Sequence, residues 1–264
     1  MAIRILVSGN GKMGREVLAA VCREEDLEAV AVVDALAKAD TVSLSDGSGA
    51  IPFGADAAAI IKDTRPDVAI DFTNAEWTPK LAREALDADV RLVIGTTGLS
   101  ATFVKELGDE CAKRNVGAVL APNFAIGAVL MQHLARVAAK HFDYAEIIEL
   151  HHEGKADAPS GTAIATAKGM AAGRDGPFVR PPTEKEIVLG TRGGEVDGVT
   201  IHSVRLPGLV AHQEVILGGT GETLRIRHDS VGRESFMPGV MLAVRHVMER
   251  PGLVVGLERL FGLE

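Results

Sequence analysis

The feature that most restricts what this chain can fold into is a glycine-spaced turn, Gly9-Asn10-Gly11-Lys12-Met13-Gly14, set between an apolar run and a helical pattern. Ile3–Ser8 reads as a buried strand, Met13–Glu24 carries Val17, Leu18 and Val21 at helical spacing, and Leu27–Asp34 reads as a second strand. In that context G-x-G-x-x-G points to a dinucleotide. Its glycines let the backbone approach a pyrophosphate, and the exposed N–H groups and positive helix end offset the charge. The second strand ends at Asp34, 20 residues beyond Gly14, where a carboxylate can bind ribose hydroxyls. The bland alternative is an ordinary tight β-α turn followed by a surface acid. A carboxylate at Asp34 repels a 2′-phosphate, and Ala35 is not the Arg that NADP readers commonly place there, so NADH is the expected cofactor, with NADPH also usable. Lys12 is the only nearby cation expected from the sequence.

The alternation continues with a helix over Asp56–Thr64, a strand over Val68–Phe72, a helix over Pro79–Ala88, a strand over Val90–Gly95, a helix over Ser100–Asn115 and a strand over Val116–Leu120. Near-continuous apolar strands such as Ala29–Val33 predict burial on both faces, hence an α/β, Rossmann-like, doubly wound parallel sheet. After Pro122 the pattern changes: a long helix over Ile126–His141, a strand over Ala145–His151, an alanine-rich helix over Thr162–Ala172, then strands over Val199–Val204, Val215–Leu217 and Leu224–His228. That run predicts a second, α+β domain with an open antiparallel or mixed sheet. Phe236–Glu249 returns to helical spacing. At about 150 residues per domain, 264 residues accommodate one large or two modest domains.

Composition narrows the function. A formal net charge of −8 argues against general attraction to nucleic acid or an anionic membrane, so anionic ligands must be captured locally. One Trp and one Tyr give no base-stacking groove. No apolar run approaches the roughly 20 residues of a membrane helix. The separated Cys22 and Cys111 support neither a disulfide framework nor a zinc knuckle, and a cytoplasmic location is the default expectation.

The second informative stretch is His151-His152-Glu153-Gly154-Lys155-Ala156-Asp157-Ala158-Pro159-Ser160-Gly161-Thr162. It places proton donors at a strand end, followed by a turn and a helix start. Ser160, Gly161 and Thr162 open that helix and offer N–H groups and hydroxyls suited to a carboxylate. A His works as a general acid near neutral pH, and a neighbouring Lys binds charge or delivers a proton. A metal site is disfavoured because the usual ligand spacings are absent, a Ser160 nucleophile because its neighbours do not form G-x-S-x-G, and a solvated loop without chemistry is the remaining alternative. His133, His141, His202, His212, His228 and His246 lack a comparable setting and read as structural or surface residues.

Glu149 to Ala163 resembles the signature of the 4-hydroxy-tetrahydrodipicolinate (dihydrodipicolinate) reductase family of the diaminopimelate route to lysine. Family-like stretches recur in order at Gly95-Thr96-Thr97-Gly98, at Ala121-Pro122-Asn123-Phe124, and at Gly221-Glu222-Thr223-Leu224 followed by Ile226 and His228. Many members carry one more residue in the first glycine turn. The resemblance implies hydride transfer from a nicotinamide to an unsaturated cyclic dicarboxylate, giving tetrahydrodipicolinate. It implies His151 as proton donor or acceptor, Lys155 as proton donor, and His152, Gly161 and Thr162 as substrate-binding residues beside Ser160. Gly95–Thr97 and Ala121–Phe124 would join the Gly9–Gly14 turn and Asp34 in lining the cofactor. It also implies a nucleotide domain of 1–123 with 233–264, a substrate domain of 124–232 that assembles a homotetramer, and a hinge near residues 123 and 232. The alternatives are a dinucleotide-binding redox regulator without turnover, which would need the glycine turn but not His151 or Lys155, and a reductase paralogue acting on another cyclic imine.

Overall fold

The computed structural model describes residues 1–263, and the chain divides into two compact units, Met1–Ile126 joined by the segment from Arg233 onward, and Gly127–Gly232. The first unit runs β1 (Ile3–Ser8), α1 (Lys12–Val21), β2 (Leu27–Val33), β3 (Thr41–Ser43), β4 (Ala50–Gly54), α2 (Ala57–Thr64), β5 (Val68–Asp71), α3 (Thr78–Asp87), β6 (Arg91–Ile94), α4 (Ala101–Arg114) and β7 (Gly117–Leu120). Next come α5 (Ile126–Ala138), β8 (Tyr144–His151), α6 (Gly161–Ala172), β9 (Gly194–Val196), β10 (Val199–Arg205), β11 (Ala211–Gly219) and β12 (Glu222–Ser230). The first unit is then completed by α7 (Met237–Glu249) and β13 (Gly252–Val255).

The strands of the first unit lie in the order β13-β7-β6-β5-β1-β2-β4-β3, parallel throughout except for the β3–β4 pair. Chain order reverses at β1, between β2 and β5, so this is the doubly wound sheet the alternation predicts, and ligands of such sheets bind outside the carboxyl ends of the strands at that reversal. Both faces are covered. Leu6, Ala69, Leu92 and Ile94 pack with Ile61 of α2, Leu81 and Ala85 of α3, and Leu107 and Cys111 of α4. On other strand positions α1 and α7 contribute buried Val17, Val21, Val240, Met241 and Val244. Side-chain caps set two of the helix starts: Asp56 accepts from the Ala59 N–H and Ser100 from the Phe103 N–H, each at 3.1 Å.

The short strands β3, β4 and β13 are additions to the sequence-based expectation. β13 adds to the sheet edge beside β7, pairing Gly252 with Gly117. Gly117 is obligatory there, because a Cβ would stand 2.4 Å from the Val247 carbonyl oxygen and 2.5 Å from that of Arg250. The returning α7 is also tied to the first β-α-β unit by Arg245, which donates to Glu24 at 2.6 Å and to Asp26 at 2.7 and 2.9 Å.

The second unit is an open mixed sheet in the order β12-β11-β8-β10-β9, in which β8 and β10 are parallel and the other pairs antiparallel. Its core joins Ile147, Ile201, Val215 and Leu217 to Ala163, Ala167 and Met170 of α6 and to Ala135 of α5. β11 is longer than the apolar triplet at Val215–Leu217 suggests, since it is hydrogen-bonded along its length to both β8 and β12. The helix expected over Ile126–His141 is α-helical to Ala138 and closes with a 3₁₀ turn over Ala139–His141.

Burial and exposure separate the two attachments of α7. Met241 is 3% exposed, so Met241→Ala is expected to cost about 2–5 kcal/mol. The Arg245 ion pairs are solvent-exposed, and Arg245→Ala is expected to cost no more than about 1 kcal/mol. Urea unfolding of both variants measures the difference, and equal losses would contradict it.

Candidate active site

The turn after β1 has the shape a pyrophosphate requires. Gly9 sits at φ +93°, and a Cβ on Gly14 would lie 1.8 Å from the Gly9 carbonyl oxygen, so strand end and helix start meet only because residue 14 has no side chain. A Cβ on Gly11 would meet nothing within 4 Å, which leaves the space in front of the first turn of α1 open. Asp34 follows β2 directly. Its Oδ2 accepts from the Asn10 N–H at 2.7 Å and its Oδ1 from the Leu36 N–H at 2.8 Å, so the carboxylate is oriented by backbone while each oxygen keeps further acceptor capacity. Lys12 is exposed. It is not the only cation here, as sequence reasoning had it: Arg15, one helical turn into α1, donates from Nε to the Asn10 carbonyl at 3.2 Å.

The loops after β5, β6 and β7 adjoin this edge and are organised by Asp71, a fully buried carboxylate at the end of β5. Its Oδ1 accepts from the Thr73 hydroxyl at 2.7 Å, and its Oδ2 from the hydroxyls of Thr78 at 2.5 Å and Thr96 at 2.9 Å. Its backbone carbonyl receives the Gly95 N–H at 2.8 Å. Gly95 is pressed against the Phe72 ring, where a Cβ would come within 2.0 Å. These contacts separate the side chains of the expected cofactor loops into inward and outward ones. The Thr96 side chain faces inward to Asp71, leaving Thr97 exposed. Ala121 and Phe124 are each 1% exposed, with the Phe124 ring 5.4 Å from that of Phe72, so they support the loop from below. Asn123 caps its own turn by accepting from the Ala125 N–H at 2.9 Å, and Pro122 is exposed.

In the second unit His151 ends β8, and Ser160 begins α6 nine residues later. Between them lies Glu149, which is 0% exposed. Arg205, register partner of His151 on β10, donates to both Glu149 oxygens at 2.9 and 2.8 Å. His151 Nδ1 lies 2.5 Å from Glu149 Oε2, and the Ser160 N–H donates to Oε1 at 3.2 Å. Arg205 also donates to the Asp157 carbonyl at 2.7 Å. Burial pushes the Glu149 carboxyl up, but hydrogen bonds from Arg205, Ser203 and His151 outweigh it and hold the group below its ordinary value, ionised. Burial pushes His151 down; Glu149 opposes this, while the charges of Lys155 and Arg205 add to it, and the ring rests below its ordinary value.

Lys155 is paired with Asp157 at 2.7 Å, a counter-ion that sequence reasoning passed over. His152, Gly161 and Thr162 keep surface exposure beside it. Ser160 is engaged within the protein. It is 2% exposed, with its N–H on Glu149 and its hydroxyl accepting from the Ala163 N–H at 3.2 Å, so it builds the pocket wall and caps α6. Arg205 had no signal in the sequence, because its partner lies 56 residues away across a strand pair.

A doubly wound sheet with a glycine turn at its reversal point, joined in one chain to a histidine-lysine cluster against a helix start, defines a nicotinamide-dependent oxidoreductase. The family models of the dihydrodipicolinate reductase N-terminus and C-terminus match residues 3–124 and 127–261. The 4-hydroxy-tetrahydrodipicolinate reductase of Dehalococcoides mccartyi strain BAV1 is 48% identical over 262 residues, covering 99% of each chain. That of Geobacillus thermodenitrificans is 49% identical over 263 residues, covering 98% of this chain and 99% of its own. A dipicolinate-bound dihydrodipicolinate reductase structure from Paenisporosarcina sp. TG-14 aligns with a TM-score of 0.88 at 42% identity, covering 98% of this chain and 99% of that one. An amine dehydrogenase from Mycobacterium smegmatis, 16% identical with a TM-score of 0.65 over 96% and 95% of the two chains, shares the fold. The chain belongs to the dihydrodipicolinate reductase family, whose members bind a nicotinamide dinucleotide.

The Asp71 network gives a direct expectation. Asp71→Asn places an amide where Oδ2 or Oδ1 now accepts from buried hydroxyls, and it should cost about 1–3 kcal/mol of stability. Thermal and urea unfolding measure this, and an unchanged midpoint would overturn the role given to Asp71.

Proposed function

We propose that the protein reduces 4-hydroxy-tetrahydrodipicolinate to tetrahydrodipicolinate, with His151 and Lys155 as the proton-handling pair. The observation that carries this reading is the juxtaposition, at the end of β8, of a half-buried imidazole oriented by an ionised carboxylate, an ammonium within the next loop, and the open N-terminus of α6. In the proposed division of labour, residues 1–123 with 233–264 hold the dinucleotide and residues 124–232 hold the substrate. Loss of the 4-hydroxyl group as water converts the substrate ring to a conjugated C=C–C=N system, to which a bound nicotinamide would supply a hydride. The electron pair displaced towards the ring nitrogen is quenched by one proton, which Lys155 delivers. His151 hydrogen-bonds to the substrate and gives or takes a proton there, while His152 and the Gly161–Thr162 start of α6 bind its carboxylates.

For the cofactor, Gly9–Gly14 approach the pyrophosphate, Asp34 takes the adenosine ribose, and the loops at Gly95–Thr97 and Ala121–Phe124 line the nicotinamide side. Asp34 favours NADH by accepting from two ribose hydroxyls, and the charges of Lys12 and Arg15 on the first turn of α1 would offset part of the extra phosphate of NADPH. The less covered face of the second sheet, which carries Tyr144 at 42% exposure and, by the strand register, Ile148 and Ile216, is the proposed surface for homotetramer assembly, and the location is cytoplasmic. No described helix is long and apolar enough to cross a membrane.

Oxidation of NADH and NADPH, followed at about 340 nm with enzymatically generated substrate, tests the activity; no oxidation with either defeats the reading. His151→Gln and Lys155→Ala should each lower turnover by about 10²-fold or more while dinucleotide affinity changes little, and wild-type turnover in both would remove their assigned roles. Wild type should show the higher kcat/KM with NADH, and Asp34→Ala should shift the ratio towards NADPH; a ratio unmoved by that substitution would show that Asp34 does not select the cofactor.

A further inference from the structure

Glu149 and Arg205 have no part in the ligand contacts proposed above, yet His151, the Lys155 loop and the start of α6 are arranged around them. A carboxylate with no solvent contact needs a full set of donors. Here these come from three segments: the Arg205 fork on β10, the His151 ring two residues along β8, and the Ser160 N–H at the start of α6. Arg205 extends the same system to a fourth, since it also donates to the Asp157 carbonyl in the loop that carries Lys155.

We propose that Glu149 and Arg205 form a positioning pair that fixes the His151 ring in the tautomer with its proton on Nδ1, presents Nε2 to the substrate, and anchors the Lys155 loop through the same guanidinium. This assignment of Nε2 rests on the reductase reading above. The tautomer does not: an ionised carboxylate only accepts, so the ring nitrogen 2.5 Å from it carries the hydrogen. His151 Nε2 has no hydrogen-bond partner among the described residues. The charged groups facing the ring are Glu149 on its own strand, Arg205 on β10 and Lys155 in the following loop; on β11 its register partner is the uncharged Ala211. The pair cannot be replaced by any cation. NH1 and NH2 of Arg205 serve two carboxylate oxygens and the carbonyls of Val204 and Asp157 together, a planar fork geometry that an ammonium does not reproduce.

Two measurements on the full-length protein test this. Long-range ¹H–¹⁵N correlation of histidine-labelled protein, with His151 assigned by its loss in His151→Gln, should show Nδ1 protonated and Nε2 as the lone-pair nitrogen; the opposite tautomer overturns the proposal regardless of activity. In steady-state kinetics Glu149→Gln should lower kcat by about 10–100-fold, part of the 10²–10⁴ a positioned acid or base supplies, with KM changed far less. It should also move the limb of the pH profile that vanishes in His151→Gln to lower pH, because the carboxylate that favours the charged ring is gone and Arg205 is left facing it. Combined with His151→Gln, Glu149→Gln should add little further loss. Arg205→Lys keeps the carboxylate beside the ring and a positive charge facing it but breaks the fork, so it should lower kcat with little further loss when combined with His151→Gln and with no movement of the limb to lower pH, and losses that multiply in that pair overturn the proposal should Glu149→Gln not fold. An unmoved limb with multiplying losses would reduce both residues to scaffolding. Inactivity of the wild type on the proposed substrate, with the tautomer as described, would instead defeat the reductase reading and leave the clamp standing.

Discussion

A carboxylate taken out of water must be given replacement donors, and both ligand-facing ends of this chain are organised around one that has been. In the first unit Asp71 gathers three threonine hydroxyls and so ties the loops after β5 and β6 together. In the second, Glu149 gathers an arginine, a histidine and a backbone N–H. Neither group could be buried with its donors missing, because an unpaired buried charge costs several kcal/mol. The donor sets differ in kind. Hydroxyls are neutral and hold a loop in shape, whereas the guanidinium and imidazole are charged or chargeable and also set the state of a reacting group.

Much of this architecture was legible because local pattern and tertiary role agree. β1 occupies Ile3–Ser8 as its apolar run predicts, and the glycine turn follows at the point where the sheet reverses. The strands that escaped notice are those whose hydrogen bonding does the work that apolar pattern usually advertises. Thr41–Ser43 has no buried residue, Ala50–Gly54 contains Pro52, and Gly252–Val255 is a four-residue edge held by its ladder to β7. β11 extends through Gln213 and Glu214 because it has a partner on either side.

The site divides in the same way. His151, Lys155 and the start of α6 lie within one short stretch of sequence, so their grouping was legible without the structure. Glu149 stood inside the recognised stretch, but nothing in a linear sequence says that Arg205 faces it, since that depends on a parallel register placing Arg205 opposite His151. Ser160 shows the converse case: a residue type suited to anion binding also caps α6 and donates to Glu149, which only its 2% exposure and its partners reveal. Phe124 and Thr96 were likewise near the right place with their side chains turned inward.

The two ion pairs in the substrate segment are unequal, and the inequality suits the proposed chemistry. Glu149 and Arg205 have side-chain exposures of 0% and 19%, so separating them would strand a buried charge. Lys155 and Asp157 have 22% and 58%, and an exposed pair of this kind is worth no more than about 1 kcal/mol. The charges of the four cancel, which accords with an acidic protein that exerts no general pull on anions. Under the proposed mechanism an arriving dicarboxylate would find its cation by exchange, a carboxylate displacing Asp157 from Lys155 at little cost while Arg205 stays committed to Glu149. The firm pair holds the imidazole and the loop in place, and the weak pair leaves the ammonium available for the proton transfer proposed for it.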